Sequence, residues 1–232
     1  MSRPRPPRGG GGLTDARPRS ASSRRWLERQ IRDPYVAEAK RLGYRSRAAF
    51  KLIELDDRFH LLAPGRRVLD LGAAPGGWSQ VAVVRVRAAS GAGRRGSVVA
   101  LDLTEMVAIE GASIVHGDAM DEETLIAALA RLGGPADVVL SDMAPPATGH
   151  AGADHLRIIG LAEAALEIAC RVLAPGGSFV CKVWQGGSET ELLTSLKRRF
   201  ARVRHAKPPA SRPDSAEVYV VAQGFRPADP AG

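Results

Sequence analysis

The chain has 232 residues, 44% of them hydrophobic, and a formal net charge of +8. That length suits one α/β domain with a modest extension, and the apolar content is enough for a sizeable core. The basic balance favours a polyanionic partner such as nucleic acid, and no run of ~20 apolar residues is present to span a membrane.

Residues 1–25 hold seven arginines and one acid, Asp15, among Pro, Gly and Ser. Such a segment buries too little surface to offset its ordering entropy, so a disordered basic arm is expected there. It lacks the apolar stretch of a secretory signal, and a cytoplasmic protein is expected. A small positive excess remains beyond residue 25, so the basic character is not confined to the arm.

The remainder, 26–226, is expected to be the globular domain, with 227–232 as a tail. From Trp26 to His60 the apolar spacing (Tyr35, Val36, Ala39, Leu42, then Ala49, Leu52, Ile53) predicts helices. Ser46 is a candidate cap for the second, and Pro64-Gly65 is a turn. Next, Val68–Leu71 reads as a strand, 78–88 as a helix, and Ser97–Leu101 and Ser113–Val115 as strands. A helix follows over 121–132 with Asp121 near its start, then a strand at Val138–Leu140. A helix over 156–173 is closed by Pro175-Gly176-Gly177. A strand at Ser178–Val183, a helix over 188–200, a short apolar segment near Val203 and a strand at Val218–Ala222 complete the chain. This alternation predicts a mainly parallel sheet covered by helices on both faces, with the last strand in an antiparallel edge pair. Cys170 and Cys181 sit in apolar stretches and read as reduced core thiols. The five histidines are scattered and no CxxC pair exists, so no metal site is expected.

The loop Asp70-Leu71-Gly72-Ala73-Ala74-Pro75-Gly76-Gly77-Trp78 follows the first strand and opens a helix. In a doubly wound sheet this is where ligands bind, and small residues permit close approach to the backbone. The dinucleotide spacing GxGxxG is absent, and Asp70 would repel a pyrophosphate. A cationic ligand suits the loop better, and S-adenosylmethionine carries a sulfonium and an ammonium. Asp102 follows the second strand, where an acid accepts hydrogen bonds from both ribose hydroxyls of an adenosine. Asp118 follows the third, where it accepts from the adenine amino group. Any one of these acids is commonly a solvated turn residue; three, each after a successive strand of one sheet, make a ligand site. The candidate cofactor residues are therefore Asp70, Gly72, Pro75, Gly76, Gly77, Trp78, Asp102, Asp118 and Asp142.

Ser141-Asp142-Met143-Ala144-Pro145 ends the fourth strand and Cys181-Lys182-Val183-Trp184-Gln185-Gly186 the fifth. With the glycine loop, with Tyr44-Arg45-Ser46-Arg47-Ala48-Ala49-Phe50-Lys51-Leu52 upstream and with Ser215-Ala216-Glu217-Val218-Tyr219-Val220 downstream, they form a colinear set over residues 33–226. This set resembles the RlmE family, also called FtsJ or RrmJ, of RNA 2'-O-methyltransferases. The resemblance implies a class I, Rossmann-like methyltransferase fold with a seven-stranded sheet, and S-adenosylmethionine as cofactor. It implies a catalytic tetrad on Lys51, Asp142, Lys182 and Glu217. A family member of this length, without a second domain, looks like the bacterial enzymes. Those methylate a uridine ribose in the A-loop of 23S rRNA and support late assembly of the large subunit. The N-terminal arm and a basic, Gly-rich stretch from Arg85 to Gly96 depart from the family core.

The chemistry is consistent with that set. A ribose hydroxyl is a weak nucleophile that must lie in line with the methyl donor, and holding that geometry supplies much of the rate. A base takes the proton as the oxygen attacks; Lys182, at the end of the central strand, is the candidate proton acceptor. An ordinary lysine, with pKa ~10.4, is almost wholly protonated at pH 7. The alternative is a charged lysine that stabilises a developing oxyanion. Asp142 and Glu217 then orient it, with Lys51 as the neighbouring cation. Lys40, Arg41, Arg45 and Arg47 border the site and are candidate phosphate contacts on RNA. A monomer acting on 23S rRNA or the large subunit is the expectation. The rival readings are the same chemistry on tRNA or another RNA, a non-catalytic RNA-binding assembly factor, and a small-molecule methyltransferase.

Overall fold

A parallel sheet grows from Arg67–Leu71 (β1), where Val68, Leu69 and Leu71 are completely buried. In the computed structural model, residues 33–89, 94–145, 148, 150–185 and 190–228 are described. The basic arm at 1–25, part of the Arg85–Gly96 stretch, Gly186 and the last residues of the tail lie outside them. The chain divides into Met1–Pro34 and Tyr35–Gly232, and the sheet lies in the second unit.

Two helices precede the sheet, Pro34–Arg41 (α1) and Ala48–Phe59 (α2). After β1 come Gly77–Val86 (α3), Ser97–Asp102 (β2), Ala112–His116 (β3), Glu122–Leu132 (α4) and Ala136–Ser141 (β4). Ala151–Val172 (α5), Leu173–Trp184 (β5), Thr190–Arg199 (α6), Phe200–Ala206 (β6) and Glu217–Phe225 (β7) complete the described elements. The strand order is β3-β2-β1-β4-β5-β7-β6. The first five strands are parallel, and β7 runs antiparallel to both β5 and β6. The order reverses between β1 and β4, the topological switch point at which α/β sheets bind ligands.

Period-two alternation distributes the strands' side chains between two cores. Leu69, Leu71, Val99, Val139, Phe179, Cys181 and Val220 pack with α4, α5 and α6 on one face. Val68, Val98, Val138, Leu140, Val180, Tyr219 and Val221 pack with α2 and α3 on the other. Full burial of one such aliphatic side chain is worth about 1.5–3 kcal/mol. The alternation also sends Asp70, Lys182 and Tyr219 toward α2 and α3, because each stands one residue from a neighbour on the other face.

Three expectations from sequence need correction. Ser46 does not cap α2: the residue at the N-cap is Arg47, no side chain caps that helix, and Ser46 Oγ is buried without a hydrogen-bond partner. The expected antiparallel edge pair, by contrast, is present: β7 pairs antiparallel with β6, which contains Val203. β7, apolar on both faces, lies between β5 and β6, and β6, with exposed Arg202, Arg204 and His205, forms the rim. Helix α5 begins at Ala151, five residues before its apolar periodicity becomes readable. Pro175-Gly176-Gly177 does not cap α5, whose C-cap is Leu173 in extended conformation. It forms an irregularity inside β5, where the register jumps from Ala136↔Leu173 to Val138↔Ser178. By contrast Asp121 caps α4, its Oδ2 accepting from Thr124 N at 2.9 Å and from Thr124 Oγ1 at 2.8 Å.

Candidate active site

The carboxyl ends of β1 to β4 open onto a cleft of about 790 Å³, lined by Gly72, Asp102, Asp118, Asp142 and Met143, with Arg157 and Gly160 of α5 opposite. That volume is typical of a small-molecule site. Asp102 is fixed from both oxygens, Oδ2 accepting from Ala74 N at 2.8 Å and Oδ1 from Thr104 N at 2.7 Å. Asp118 Oδ1 accepts from Met120 N at 2.9 Å. Each carboxylate still has acceptor capacity, since a carboxylate offers about four lone-pair sites. Gly72 has φ 69°, and a Cβ there would lie 2.4 Å from Met143 Cγ. A side chain at Gly72 would therefore both strain the loop and displace the cleft wall. Apolar walls, including the exposed Leu103 and Met120, and two acceptors on successive loops fit an adenosine with a cationic tail.

Other residues of the glycine loop serve the scaffold behind the cleft rather than its lining. Asp70 is buried, and its Oδ2 accepts from Ser79 Oγ at 2.6 Å while Oδ1 has no partner. Burial pushes its carboxyl up to about 7, against the Ser79 hydrogen bond and with the charges of Asp142 and Asp102 adding to the rise. The Ala74–Pro75 peptide is cis. Pro75 offers its carbonyl to Arg45, and Gly76 is approached by Ile109 and Arg45. A Cβ on Gly77 would meet Ser46 Oγ at 2.4 Å, so this glycine lets α3 approach the start of α2. Trp78 is buried, its indole N–H donating to Ala48 O at 2.8 Å and its ring packed on Tyr219 at 5.5 Å.

Beside the cleft, Lys51, Asp142, Lys182 and Glu217 form one connected network. Lys182 Nζ lies 3.0 Å from Asp142 Oδ1 and donates to Asp142 O at 2.7 Å. Lys51 Nζ lies 2.7 Å from Glu217 Oε1. The two ion pairs are joined by Tyr219, whose hydroxyl accepts from Lys51 Nζ at 3.1 Å and donates to Asp142 Oδ1 at 2.7 Å. Burial opposes the charge on Asp142, but Lys182, Lys51 and the Tyr219 hydroxyl overcome it and hold the carboxyl below its ordinary range. Burial, with the charges of Asp142 and Glu217, pushes the Tyr219 phenol well up, so it stays a neutral donor. Both lysines are buried, and such pairing is the condition for keeping them so.

The FtsJ-like methyltransferase family model matches residues 44–225, a span that contains the cleft, the network and every strand of the sheet. The chain belongs to the FtsJ-like methyltransferase family. A protein of Paramagnetospirillum magneticum named ribosomal RNA large subunit methyltransferase E is 61% identical over 91% of this chain and 86% of its own. One of the same name from Acidiphilium cryptum is 59% identical over 93% and 92%. A solved Plasmodium falciparum structure described as a ribosomal RNA methyltransferase superposes with a TM-score of 0.69 at 30% identity, covering 78% of this chain and 98% of that one.

In this FtsJ-like methyltransferase the four basic residues expected to border the site divide in two. Arg45 and Arg47 hold the protein itself. Arg45 donates to Pro75 O at 3.2 Å, Val107 O at 2.7 Å and Ala108 O at 2.7 Å, joining the glycine loop to the β2–β3 loop. Arg47 donates to Ala210 O at 2.6 Å and lies 5.6 Å from the centre of the Tyr35 ring. Lys40 and Arg41 are exposed on α1, and Arg41 pairs with Glu38 at 2.6 Å. Two members of the site escape a sequence reading. Tyr219 looks like core in an apolar strand; its only signal is the two-residue spacing from Glu217, which places both on one face. Ser211, in a loop without a motif, donates to Glu217 Oε1 at 2.9 Å. Cys181 is buried and Cys170 partly so, and neither is bridged. Among the described residues no group of three or more His, Cys, Asp or Glu is placed to hold a metal ion, and no helix is long and apolar enough to cross a membrane.

Proposed function

We propose that this protein methylates the 2'-hydroxyl of a uridine ribose in 23S rRNA, in the A-loop of the large ribosomal subunit. The observation that carries the proposal is the unbroken network Lys182–Asp142–Tyr219–Lys51–Glu217 beside the cleft, with Asp142 on the cleft wall. A module that only bound RNA would not need two buried lysines held by two carboxylates through a phenol. The names borne by its curated relatives support the choice of ribosomal RNA.

Asp102 and Asp118 are the residues to hold the adenosine of S-adenosylmethionine, with Gly72 and the Asp142–Met143 backbone bordering its tail. Asp70 stands behind the loop as a buried carboxyl held by Ser79 rather than as a ligand contact. When bound, the cofactor supplies an electrophilic methyl group. Lys182 is the group placed to meet the ribose oxygen, either taking its proton or balancing its growing charge. Asp142 fixes Lys182 from both its side chain and its carbonyl, so the amine's direction is set before substrate arrives. Glu217 and Tyr219 do the same for Lys51, which adds a second positive charge near Asp142. Mapping 2'-O-methyl groups on large subunits incubated with protein and cofactor tests the assignment. A single new methyl on an A-loop uridine is expected; methylation of a base, or of tRNA alone, would contradict it.

A further inference from the structure

A second, smaller pocket of about 170 Å³ adjoins the network, lined by Pro145, Asp154, Ile158, Lys182, Trp184 and Ser215, with Glu217 also on its wall. It meets the large cleft at Ala144 and Pro145, which border both, while Lys182 lines only the small one. The acceptor oxygen has to reach Lys182 on one side and the methyl group delivered from the cleft on the other. The acceptor ribose therefore straddles Ala144–Pro145. In a nucleoside the base hangs from the ring carbon next to the one that bears the 2'-oxygen, so an oxygen that reaches Lys182 brings the base within reach of the small pocket.

We propose that this pocket holds the base of the acceptor nucleotide, with the Trp184 ring against its face and Asp154 at its edge. The inference rests on the ribose-methylation reading and adds to it how the nucleotide is recognised. At ~30 Å³ per water the pocket has room for roughly six waters, the scale of one flat ring rather than of a whole nucleotide. Its walls suit such a ring. Pro145, Ile158 and the partly buried Trp184 are apolar, and base–aromatic stacking is a general means of gripping an unstacked base. Asp154 is buried, and its carboxylate is shaped by Thr148, whose N–H is shared between Oδ1 at 3.0 Å and Oδ2 at 3.1 Å and whose hydroxyl donates to Oδ1 at 2.7 Å. Its carboxyl oxygens are hydrogen-bond acceptors with more than one lone pair each, so they suit a base edge that carries an N–H. Uracil offers an imino N–H there, flanked by carbonyls that suit the Ser215 hydroxyl as donor. A base seated in this way has left its helical stack, so the acceptor must be an unpaired or extruded nucleotide.

The test uses reconstituted large subunits whose rRNA carries either uridine or an abasic ribose at the acceptor position. Single-turnover methyl transfer is measured for the parent protein, Trp184→Ala, Trp184→Phe and Asp154→Asn. The parent should lose on the order of tenfold or more on the abasic ribose. Trp184→Ala and Asp154→Asn should be slow on uridine yet no slower on the abasic ribose, because the interaction they remove is already gone. Trp184→Phe, which keeps an aromatic face, should recover most of the uridine rate. Equal parent rates on the two substrates, or losses in Trp184→Ala that are identical on both, would overturn the pocket's role. No transfer by the parent to either substrate would overturn the ribose-methylation reading itself, and the pocket with it.

Discussion

At the scale of single residues the site is governed by what each carboxylate is asked to do. Asp102 is solvent-accessible and already anchored by two backbone N–H groups, so it needs no reorganisation to receive a ribose. Charge-assisted hydrogen bonds of that kind are worth about 1.5–3 kcal/mol, and Asp102→Ala should weaken S-adenosylmethionine binding on the order of tenfold or more by calorimetry. An unchanged affinity would remove Asp102 from the cofactor site. Asp70 behaves in the opposite way. Its folded-state pKa of about 7 stands above the ordinary 3.8, so the folded chain holds the proton that the unfolded chain releases between those values. Its contribution to stability is greatest below the unfolded pKa and is lost as pH rises toward 7. Asp70→Asn stays neutral, so its melting temperature relative to the parent should climb between about pH 5 and pH 7. A difference independent of pH across that window would show that Asp70 does not titrate there.

At the scale of elements, the functional groups are set by loops that one side chain holds together. Arg45 joins the end of the glycine loop to Val107 and Ala108, and its backbone N–H donates to Gln80 Oε1 at 2.8 Å. Arg45→Ala should therefore weaken cofactor binding several-fold by releasing the β2–β3 loop, and Arg45→Lys should recover little, since one ammonium cannot reproduce the guanidinium fork. If cofactor affinity is unchanged while RNA affinity falls, Arg45 is the phosphate contact that its sequence position suggests. The same element scale explains what could be read in advance. The parallel strands were legible because each is an apolar run between turn residues, and the motif acids and Lys182 because they sit at strand ends, whereas Lys51, inside α2, was legible only through the family resemblance. The pairing of β7 with β6 was legible, but its other neighbour, β5, was not, because apolarity on both faces indicates an interior strand without naming what lies on its far side. Tyr219 was hidden for a related reason: a phenol that joins two ion pairs looks, one residue at a time, like core.

At the scale of the whole molecule, charge and chemistry make separable demands. Affinity for ribosomal RNA should fall steeply with added salt, as expected when lysines and arginines displace condensed counterions from phosphates. Removing residues 1–25, with their seven arginines, should flatten that dependence and leave cofactor binding intact. An unchanged slope would mean that the arm makes no RNA contact. Catalysis is a different property, and it turns on Lys182. Lys182→Ala should fold and should bind both S-adenosylmethionine and RNA, because the amine is assigned to neither. Lys182→Arg keeps the charge but cannot give up a proton at usable pH, so its activity separates charge balance from proton removal. The decisive measurement is single-turnover transfer of labelled methyl to large ribosomal subunits by the parent and by Lys182→Ala. A loss on the order of 10²-fold or more is predicted if a general base is removed; transfer by Lys182→Ala at the parent rate would contradict it.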